Sequence, residues 1–129
     1  SLFSSEEYNQ LFSLVDRVFL PQPVANYIAR IVNATHPDQP EAPELVQNYV
    51  RYGASPRAAI ALSEAGRAIA LMKGRPIVGF ADIEVLAPYV LGHRISLDYR
   101  AKLNSVSLDD ILTAIQTNVQ PDHSDIMGR

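Results

Sequence analysis

The sequence predicts an all-α fold: a bundle of four to six helices, with room for no more than a minimal two-stranded β pair. Apolar residues recur at intervals of three and four along most of the 129 residues, as they do in amphipathic helices. Prolines, glycines and helix-capping residues separate these stretches. The length is that of a single domain with one hydrophobic core. We expect this domain to span residues 1–120 and residues 121–129 to form a frayed tail.

Composition narrows the class of protein. Hydrophobic residues make up 47% and charged residues 19%, which are the proportions of a folded domain. The net charge is −3 with no block of like charges, so we expect neither a nucleic-acid partner nor a membrane partner. The lack of cysteine excludes thiolate metal sites and suits a reducing compartment, so we expect a cytoplasmic protein. The chain starts at Ser1 without a methionine, which indicates a piece of a longer protein.

The first three helices are expected over residues 5–19, 23–35 and 44–50, with a loop over residues 36–43. Ser4 or Ser5 can cap the first helix. Its apolar face is expected to consist of Tyr8, Leu11, Phe12, Val15, Val18 and Phe19. The second helix has a continuous apolar face, formed by Val24, Tyr27, Ile28, Ile31 and Val32.

The clearest helix prediction covers residues 56–73. Ser55 is the expected N-cap, and Gly74 lies just past the C-terminal end. The stripe expected to be buried consists of Ala58, Leu62, Ala65, Ile69 and Met72. Several further alanines on this helix would allow a neighbouring helix to approach closely.

Beyond this helix, Ile77 and Val78 form no more than a strand fragment, which could pair with residues 95–97. A helix is expected over residues 81–91, where Pro88 should kink it or start a second short piece. A last helix is expected over residues 108–119, with Ser107 as its cap. Its first turn contains two neighbouring acids, Asp109 and Asp110, which we interpret as capping residues rather than as catalytic carboxylates.

Most catalytic signatures are missing from the chain. It has neither a phosphate-binding loop of the form G-x-x-x-x-G-K-S/T nor a G-x-S-x-G motif. Its three histidines, His36, His93 and His123, are too far apart in sequence to form a ligand pair, so we expect no metal site. We interpret His93 and Arg94 as cations that complement the carbonyl end of a helix. A free-standing catalytic site is therefore not expected.

One segment has an unusual charge placement. With Ser55 as N-cap and Pro56 at the first helical position, Arg57 lies in the first turn of a long helix. A cation there faces the positive end of the helix dipole, which costs up to about 1 kcal/mol when the cation is unpaired. An arginine beside free backbone N–H groups is typical of a phosphate site. Alternatively, Arg57 pairs with an acid from another segment or lies in water, and both interpretations stay open on these grounds.

Residues 10–119 resemble the lid domain of MoxR-type AAA+ ATPases. The blocks that carry the resemblance are Ala34-Thr35-His36-Pro37, Tyr52-Gly53-Ala54-Ser55-Pro56-Arg57-Ala58, Ala65-Gly66-Arg67-Ala68, Gly74-Arg75, Val78-Gly79-Phe80-Ala81-Asp82-Ile83 and Val90-Leu91-Gly92-His93-Arg94-Ile95. The sequence departs from the family at Phe80-Ala81, where a threonine or serine is common, and at His36, where an arginine is common.

The resemblance implies a helical small domain that packs on the large nucleotide-binding domain of the same chain. It implies that Arg57 is the sensor 2 arginine, a catalytic residue that reaches the phosphates of ATP bound with Mg, and that Ser55 and Pro56 bind this cofactor together with Arg57. The whole protein would be a ring-forming ATPase, a hexamer, that acts as a chaperone-like remodeller or inserts metal into partner proteins, often with von Willebrand A-type domains. The family's Walker motifs are absent from this chain, so the lid alone would not hydrolyse ATP.

A second hypothesis is a stand-alone helical module that binds a protein partner through an exposed face of the helix at residues 56–73. A Walker A motif upstream in the same gene would decide in favour of the lid. A DNA-binding helix-turn-helix is disfavoured, because the chain is acidic and lacks a recognition helix rich in lysine and arginine.

Overall fold

The computed structural model describes residues 4–122, except for the side chains of Tyr8, Leu11 and Phe12. In that range the helices are α1 (Ser5–Asp16), α2 (Gln22–Asn33), α3 (Glu44–Tyr49), α4 (Arg57–Met72), α5 (Phe80–Leu91), α6 (Tyr99–Leu103) and α7 (Leu108–Asn118). The strands are β1 (Val50–Tyr52) and β2 (Ser96–Leu97), paired antiparallel. The helical fold class and the minimal β pair are confirmed. The described helices exceed the expected number because α6, a single turn capped by Asp98, was not predicted.

The first helix begins at a serine cap, as predicted, but ends earlier than predicted. Ser4 caps α1: its Oγ accepts the Glu7 N–H at 3.1 Å, and the Glu7 carboxylate accepts the Ser4 N–H at 3.1 Å. The predicted extension to Phe19 is wrong, since α1 ends at Asp16. Phe19 instead pairs with the segment before α5, where its N–H donates to Pro76 at 2.8 Å. Of the predicted apolar face, Tyr8, Leu11 and Phe12 lie outside the described side chains, Val18 is buried, and Phe19 is 60% exposed.

The strand pairing differs from the prediction. Ile77 does not pair with residues 95–97; it forms a parallel bridge with Phe19. Strand β2 pairs with β1, with Val50 opposite Leu97. Alternating apolar and polar residues mark an extended segment, but the packing of the helices decides which other segment lies beside it.

Helix α4 lies at the centre of the domain and packs against α1, α2 and α5. Its fully buried residues recur at intervals of four: Ala58, Leu62, Gly66 and Ala70. The predicted stripe is therefore only partly right, because Ala65 and Ile69 are half-buried and Met72 is 85% exposed. Small residues face the core here because α5 and the segment before it come very close. A Cβ on Gly66 would lie 2.9 Å from Ile83 Cδ1 and 3.0 Å from Val78 Cγ1.

The rest of the core comes from α2, α5 and α7. The predicted apolar face of α2 is confirmed, because Val24, Tyr27, Ile28, Ile31 and Val32 are all buried. Tyr27 contacts Phe80 of α5 edge to face, with ring centroids 5.5 Å apart. Burial, reinforced by the charge of Glu84, raises the pKa of Tyr27 to about 12. This tyrosine is therefore a neutral core side chain at physiological pH.

Helix α5 is continuous from Phe80 to Leu91 despite Pro88, so no second piece begins there. A proline lacks the N–H that would bond the carbonyl four residues earlier, which here belongs to Glu84. The side chain of Gln116 on α7 donates to that carbonyl at 2.7 Å. A neighbouring helix thus satisfies the backbone group that Pro88 leaves free.

The C-terminal end of α4 is joined to the start of α5. Gly74, at φ +71°, ends α4 as predicted, and the Arg75 N–H donates to the Ala70 carbonyl at 2.8 Å. Arg75 then makes two hydrogen bonds to Asp82, at 2.8 and 2.6 Å. Asp82 also accepts the N–H of Gly79 at 2.8 Å, which caps α5 without a hydroxyl residue.

The predicted caps of the last helix are confirmed. The Ser107 Oγ accepts the Asp110 N–H at 3.1 Å, and the Asp110 carboxylate accepts the Ser107 N–H at 2.9 Å. Helix α7 ends at Asn118. Of the predicted tail, Pro121 and Asp122 are described and are not helical, and residues 123–129 lie outside the described range.

Replacing Gly66 with valine should destabilise the domain by about 1–3 kcal/mol, because the added atoms would overlap Ile83 and Val78. Urea denaturation measures the free energy of unfolding. Glu64→Val, on the exposed side of the same helix, is the control and should change it by about 0.5 kcal/mol or less. Equal stability of the Gly66 variant and the unsubstituted chain would contradict the close packing of α4 on α5.

Asp82→Asn should lower the free energy of unfolding in a pH-dependent way. Hydrogen bonds from Arg75, and to a lesser extent from Gly79, hold the pKa of Asp82 below its ordinary value of 3.8. A folded-state pKa below the unfolded one means that the carboxylate stabilises the fold at neutral pH. This stabilisation is lost as the pH falls through the folded pKa.

At pH 7 we expect a loss of about 1–2 kcal/mol, because the Arg75 side chain is 41% exposed and water screens the pair. Urea denaturation from pH 7 down to pH 2 should show the gap between the two proteins narrowing. Asp109→Asn, an exposed acid in the first turn of α7, is the control. A gap of constant size across this pH range would show that the ionised form of Asp82 contributes nothing.

Candidate functional site

Arg57 is the first residue of α4, and its side chain is exposed. The predicted N-cap is wrong: the helix is preceded by Pro56 at φ −55° and ψ −24°, and no side chain caps it. The Ala58 N–H donates to the Ser55 carbonyl at 2.9 Å, and the Ala59 N–H donates to the Pro56 carbonyl at 3.1 Å. These tight-turn bonds satisfy the N–H groups of Ala58 and Ala59, so neither needs the Ser55 hydroxyl as a cap.

This geometry changes the phosphate hypothesis. Because Ala58 and Ala59 use their N–H groups within the turn, the helix start offers fewer free donors than the sequence predicts. The guanidinium of Arg57 is the principal donor that remains. Residues 4–122 include no acid that pairs with Arg57, so the predicted alternative of an internal ion pair is not observed there. Arg51, six residues earlier, lies over the Tyr52 ring at 5.2 Å and so has a partner of its own.

Thr35, at the end of α2, holds the segment that leads into α4. Its side chain is fully buried, and its Oγ1 donates to the Val32 carbonyl at 2.6 Å. The same oxygen accepts the N–H of Ala54 at 2.9 Å. Ala54 is also fully buried, so water cannot replace this acceptor. One hydroxyl therefore connects α2 to the residues immediately before Arg57.

Gly53 allows the same two segments to approach. A Cβ at this position would lie 2.6 Å from the Thr35 carbonyl oxygen and 2.8 Å from His36 Nδ1. Both distances are shorter than real Cβ contacts, so a larger residue would push the segments apart. The contact joins two sequence blocks, Ala34–Pro37 and Tyr52–Ala58, that are separated by a loop and α3.

Other candidate polar residues lie at some distance from this segment in sequence. His93 and Arg94 are exposed in the turn after α5, where the Arg94 N–H donates to the Leu91 carbonyl at 2.9 Å. His123 lies outside the described residues. Over the described part of the chain, no three His, Asp or Glu side chains converge to hold a metal ion. Over the same part, no helix is both long enough and apolar enough to cross a membrane.

Sequence reasoning missed two buried polar residues that hold α4. Thr35 and Asp82 are the buried polar side chains of the described core, and they lie at opposite ends of this helix. Thr35 lies in the block Ala34–Pro37, one of those that resemble MoxR-type lid domains. A polar residue directly after the apolar face of a helix was the sequence feature that could have indicated its buried role. The partners of both residues depend on tertiary contacts, which local patterns do not show.

Comparison with known proteins gives concordant results. The model of the AAA lid domain family matches residues 42–115, which include the whole of α4 and α5. Chaperone MoxR1 of Mycobacterium tuberculosis is 29% identical over 118 residues, covering 92% of this chain and 31% of that protein. The uncharacterized protein YeaC of Bacillus subtilis is 32% identical over 121 residues, covering 92% of this chain and 34% of that protein.

The fold has a solved counterpart. The crystal structure of a "putative ATPase" from Cytophaga hutchinsonii superposes with a TM-score of 0.80 at 32% identity, covering 85% of this chain and 33% of that one. The present chain spans about a third of the length of each of these relatives. Since the family model matches more than half of the chain, the chain belongs to the AAA lid domain family, and its relatives identify it as a lid of the MoxR type.

Proposed function

We propose that Arg57 is the sensor 2 arginine of a MoxR-type ATPase and contacts the phosphates of ATP held by the large domain of the same protein. The observation that carries the proposal is an exposed guanidinium at the start of the central helix, without an internal partner among residues 4–122. Arginine binds phosphate oxygens through two parallel hydrogen bonds, which suits a contact made across a domain boundary.

The position of Arg57 in the helix dipole supports an anionic partner. A cation at a helix N-terminus is destabilising by up to about 1 kcal/mol until an anion neutralises it. A phosphate would meet both the guanidinium and the positive end of α4. Ser55 and Pro56 flank this point, and the exposed Ser55 hydroxyl, which caps nothing, could donate a second hydrogen bond.

The residues of the lid fit one wall of a nucleotide site. The chain supplies a cation and a hydroxyl but no phosphate-binding loop, so the grip on ATP and Mg has to come from the large domain. Bound MgATP would supply the phosphoanhydride bond that is cleaved. Arg57 would stabilise the charge on the transferred phosphoryl group without taking or giving a proton, since an arginine stays protonated.

The same contact would couple nucleotide state to domain angle. Arg57 has more negative charge to bind when the γ-phosphate is present than after it leaves, so the closed arrangement of the two domains is favoured in the ATP state. Helix α4 packs against three other helices, so a force on Arg57 would move the lid as a body.

The activity of the whole protein follows from likeness to its relatives. We propose a cytoplasmic, ATP-hydrolysing ring, a hexamer, in which each lid packs on the large domain of its own chain. The relative named Chaperone MoxR1 supports a chaperone-like role. The clients would be proteins that are remodelled or loaded with metal, including proteins with von Willebrand A-type domains.

The alternative function, a stand-alone interaction module, has one observation in its favour. Ile60 and Met72 of α4 are 63% and 85% exposed, so this helix has apolar side chains at the surface. A lid would also use such residues against its own large domain. The two functions differ in that partner binding by a stand-alone module would not depend on nucleotide.

In the full-length protein, Arg57→Ala should lower the rate of ATP hydrolysis about 10- to 100-fold, equivalent to about 1.4–2.7 kcal/mol of transition-state stabilisation. The measurement is steady-state phosphate release at saturating MgATP, with circular dichroism melting as a check on folding. Arg51→Ala is the matched control, since it removes an exposed arginine of the same segment that already contacts Tyr52. Wild-type turnover in a folded Arg57→Ala protein would overturn the sensor 2 role.

A further inference from the structure

We infer that Thr35 is the positioning residue for Arg57: its hydroxyl sets the start of α4 relative to α2 and thereby places the guanidinium. The inference rests on the proposed role of Arg57. Thr35 lies 22 positions before Arg57 and is fully buried, so its effect on a nucleotide would be indirect.

The two hydrogen bonds of Thr35 leave its side chain a single orientation. A hydroxyl has one proton, and here the proton is donated to the Val32 carbonyl at 2.6 Å. A lone pair of the same oxygen accepts the Ala54 N–H at 2.9 Å. The donor bond fixes the oxygen on the last turn of α2, so the acceptor bond fixes Ala54 relative to that helix.

Few torsions separate this anchor from Arg57. Only Ser55 and Pro56 intervene, and the proline ring holds one of their torsions at φ −55°. On the other side, Ala58 is fully buried against the core. The backbone of Arg57 is thus bracketed by the buried residues Ala54 and Ala58, and only its side-chain torsions remain free.

Gly53 contributes to the same contact. Its backbone lies so close to the Thr35 carbonyl that a Cβ would come within 2.6 Å of it. A larger residue at position 53 would separate the two segments while leaving the Thr35 hydroxyl in the protein. A displacement of about 1 Å at a catalytic group can cost about 100-fold in rate, so small shifts here are expected to matter.

The test uses the full-length protein and four substitutions. Thr35→Val keeps the shape of the side chain but removes the acceptor of the Ala54 N–H, and we expect about a tenfold fall in kcat for ATP hydrolysis. Thr35→Ser keeps the hydroxyl and should stay within about twofold of the unsubstituted protein. Gly53→Ala should mimic Thr35→Val. Added to Arg57→Ala, Thr35→Val should lower kcat no further, because the group it positions is already gone.

A control at the other end of α4 distinguishes the loss of positioning from a general loss of stability. Asp82→Asn removes the other buried polar anchor of this helix, and it should lower the melting temperature while leaving kcat within about twofold. All rates are measured at a temperature where circular dichroism shows every variant folded. If Thr35→Val does not fold, Gly53→Ala alone and combined with Arg57→Ala provides the same comparison.

The outcomes separate the two proposals. Normal turnover in Arg57→Ala would overturn the sensor role and this inference together. Impaired turnover in Arg57→Ala with normal turnover in folded Thr35→Val and Gly53→Ala would overturn the role of Thr35 and leave that of Arg57 standing. The positioning role would also be overturned if the falls in kcat caused by Thr35→Val and Arg57→Ala multiplied in the double variant. Rescue by serine together with non-additivity would support it.

Discussion

The hydrogen bond from the Ala54 N–H to the Thr35 hydroxyl is the contact on which the candidate site depends. It lies in a fully buried place, so breaking it would leave an N–H without any partner, at a cost of about 1–3 kcal/mol. Gly53 makes the contact possible by letting two backbone segments meet. At the far end of α4, Asp82 joins Arg75 and the start of α5 in a comparable way. The central helix is therefore anchored at both ends by buried polar groups.

Between these anchors, α4 is held by close packing against the neighbouring helices. Its buried residues are small or unbranched at the Cβ, which brings the axis of α5 close and leaves little freedom for the helices to slide. Pro88 leaves one carbonyl of α5 without an N–H donor, and the side chain of Gln116 donates a hydrogen bond to it. Helix α5 therefore provides an unbroken surface for this packing. We expect a domain packed in this way to move as a body. That property would suit the proposed coupling between a phosphate contact and the angle between the two domains.

Arg57 is distinguished by its place at the start of a helix together with its lack of a partner among residues 4–122. Arg75 is committed to Asp82, Arg100 to Asp98, and Arg51 lies over an aromatic ring. Arg57 lies at the most unfavourable place for a cation on its helix, and no acid among residues 4–122 compensates it. A cation in this place is expected where a ligand supplies the missing counter-charge.

Local patterns along the chain were enough to predict the features that depend on neighbours within a few residues. These include the extent of α2 and α7 to within two residues, a serine cap for α1 at position 4 or 5, and the cap at Ser107. They also include the end of α4 at Gly74 and the presence of Arg57 in the first turn of α4. Contacts between distant segments were needed to show that Phe19 lies outside α1 and bridges Ile77, that β2 pairs with β1, and that Ser55 caps nothing. The partners of Thr35, Asp82 and Gln116 belong to the same group. The physical reason is that periodicity and capping act along the chain, whereas these contacts join segments whose proximity is set only when the helices pack.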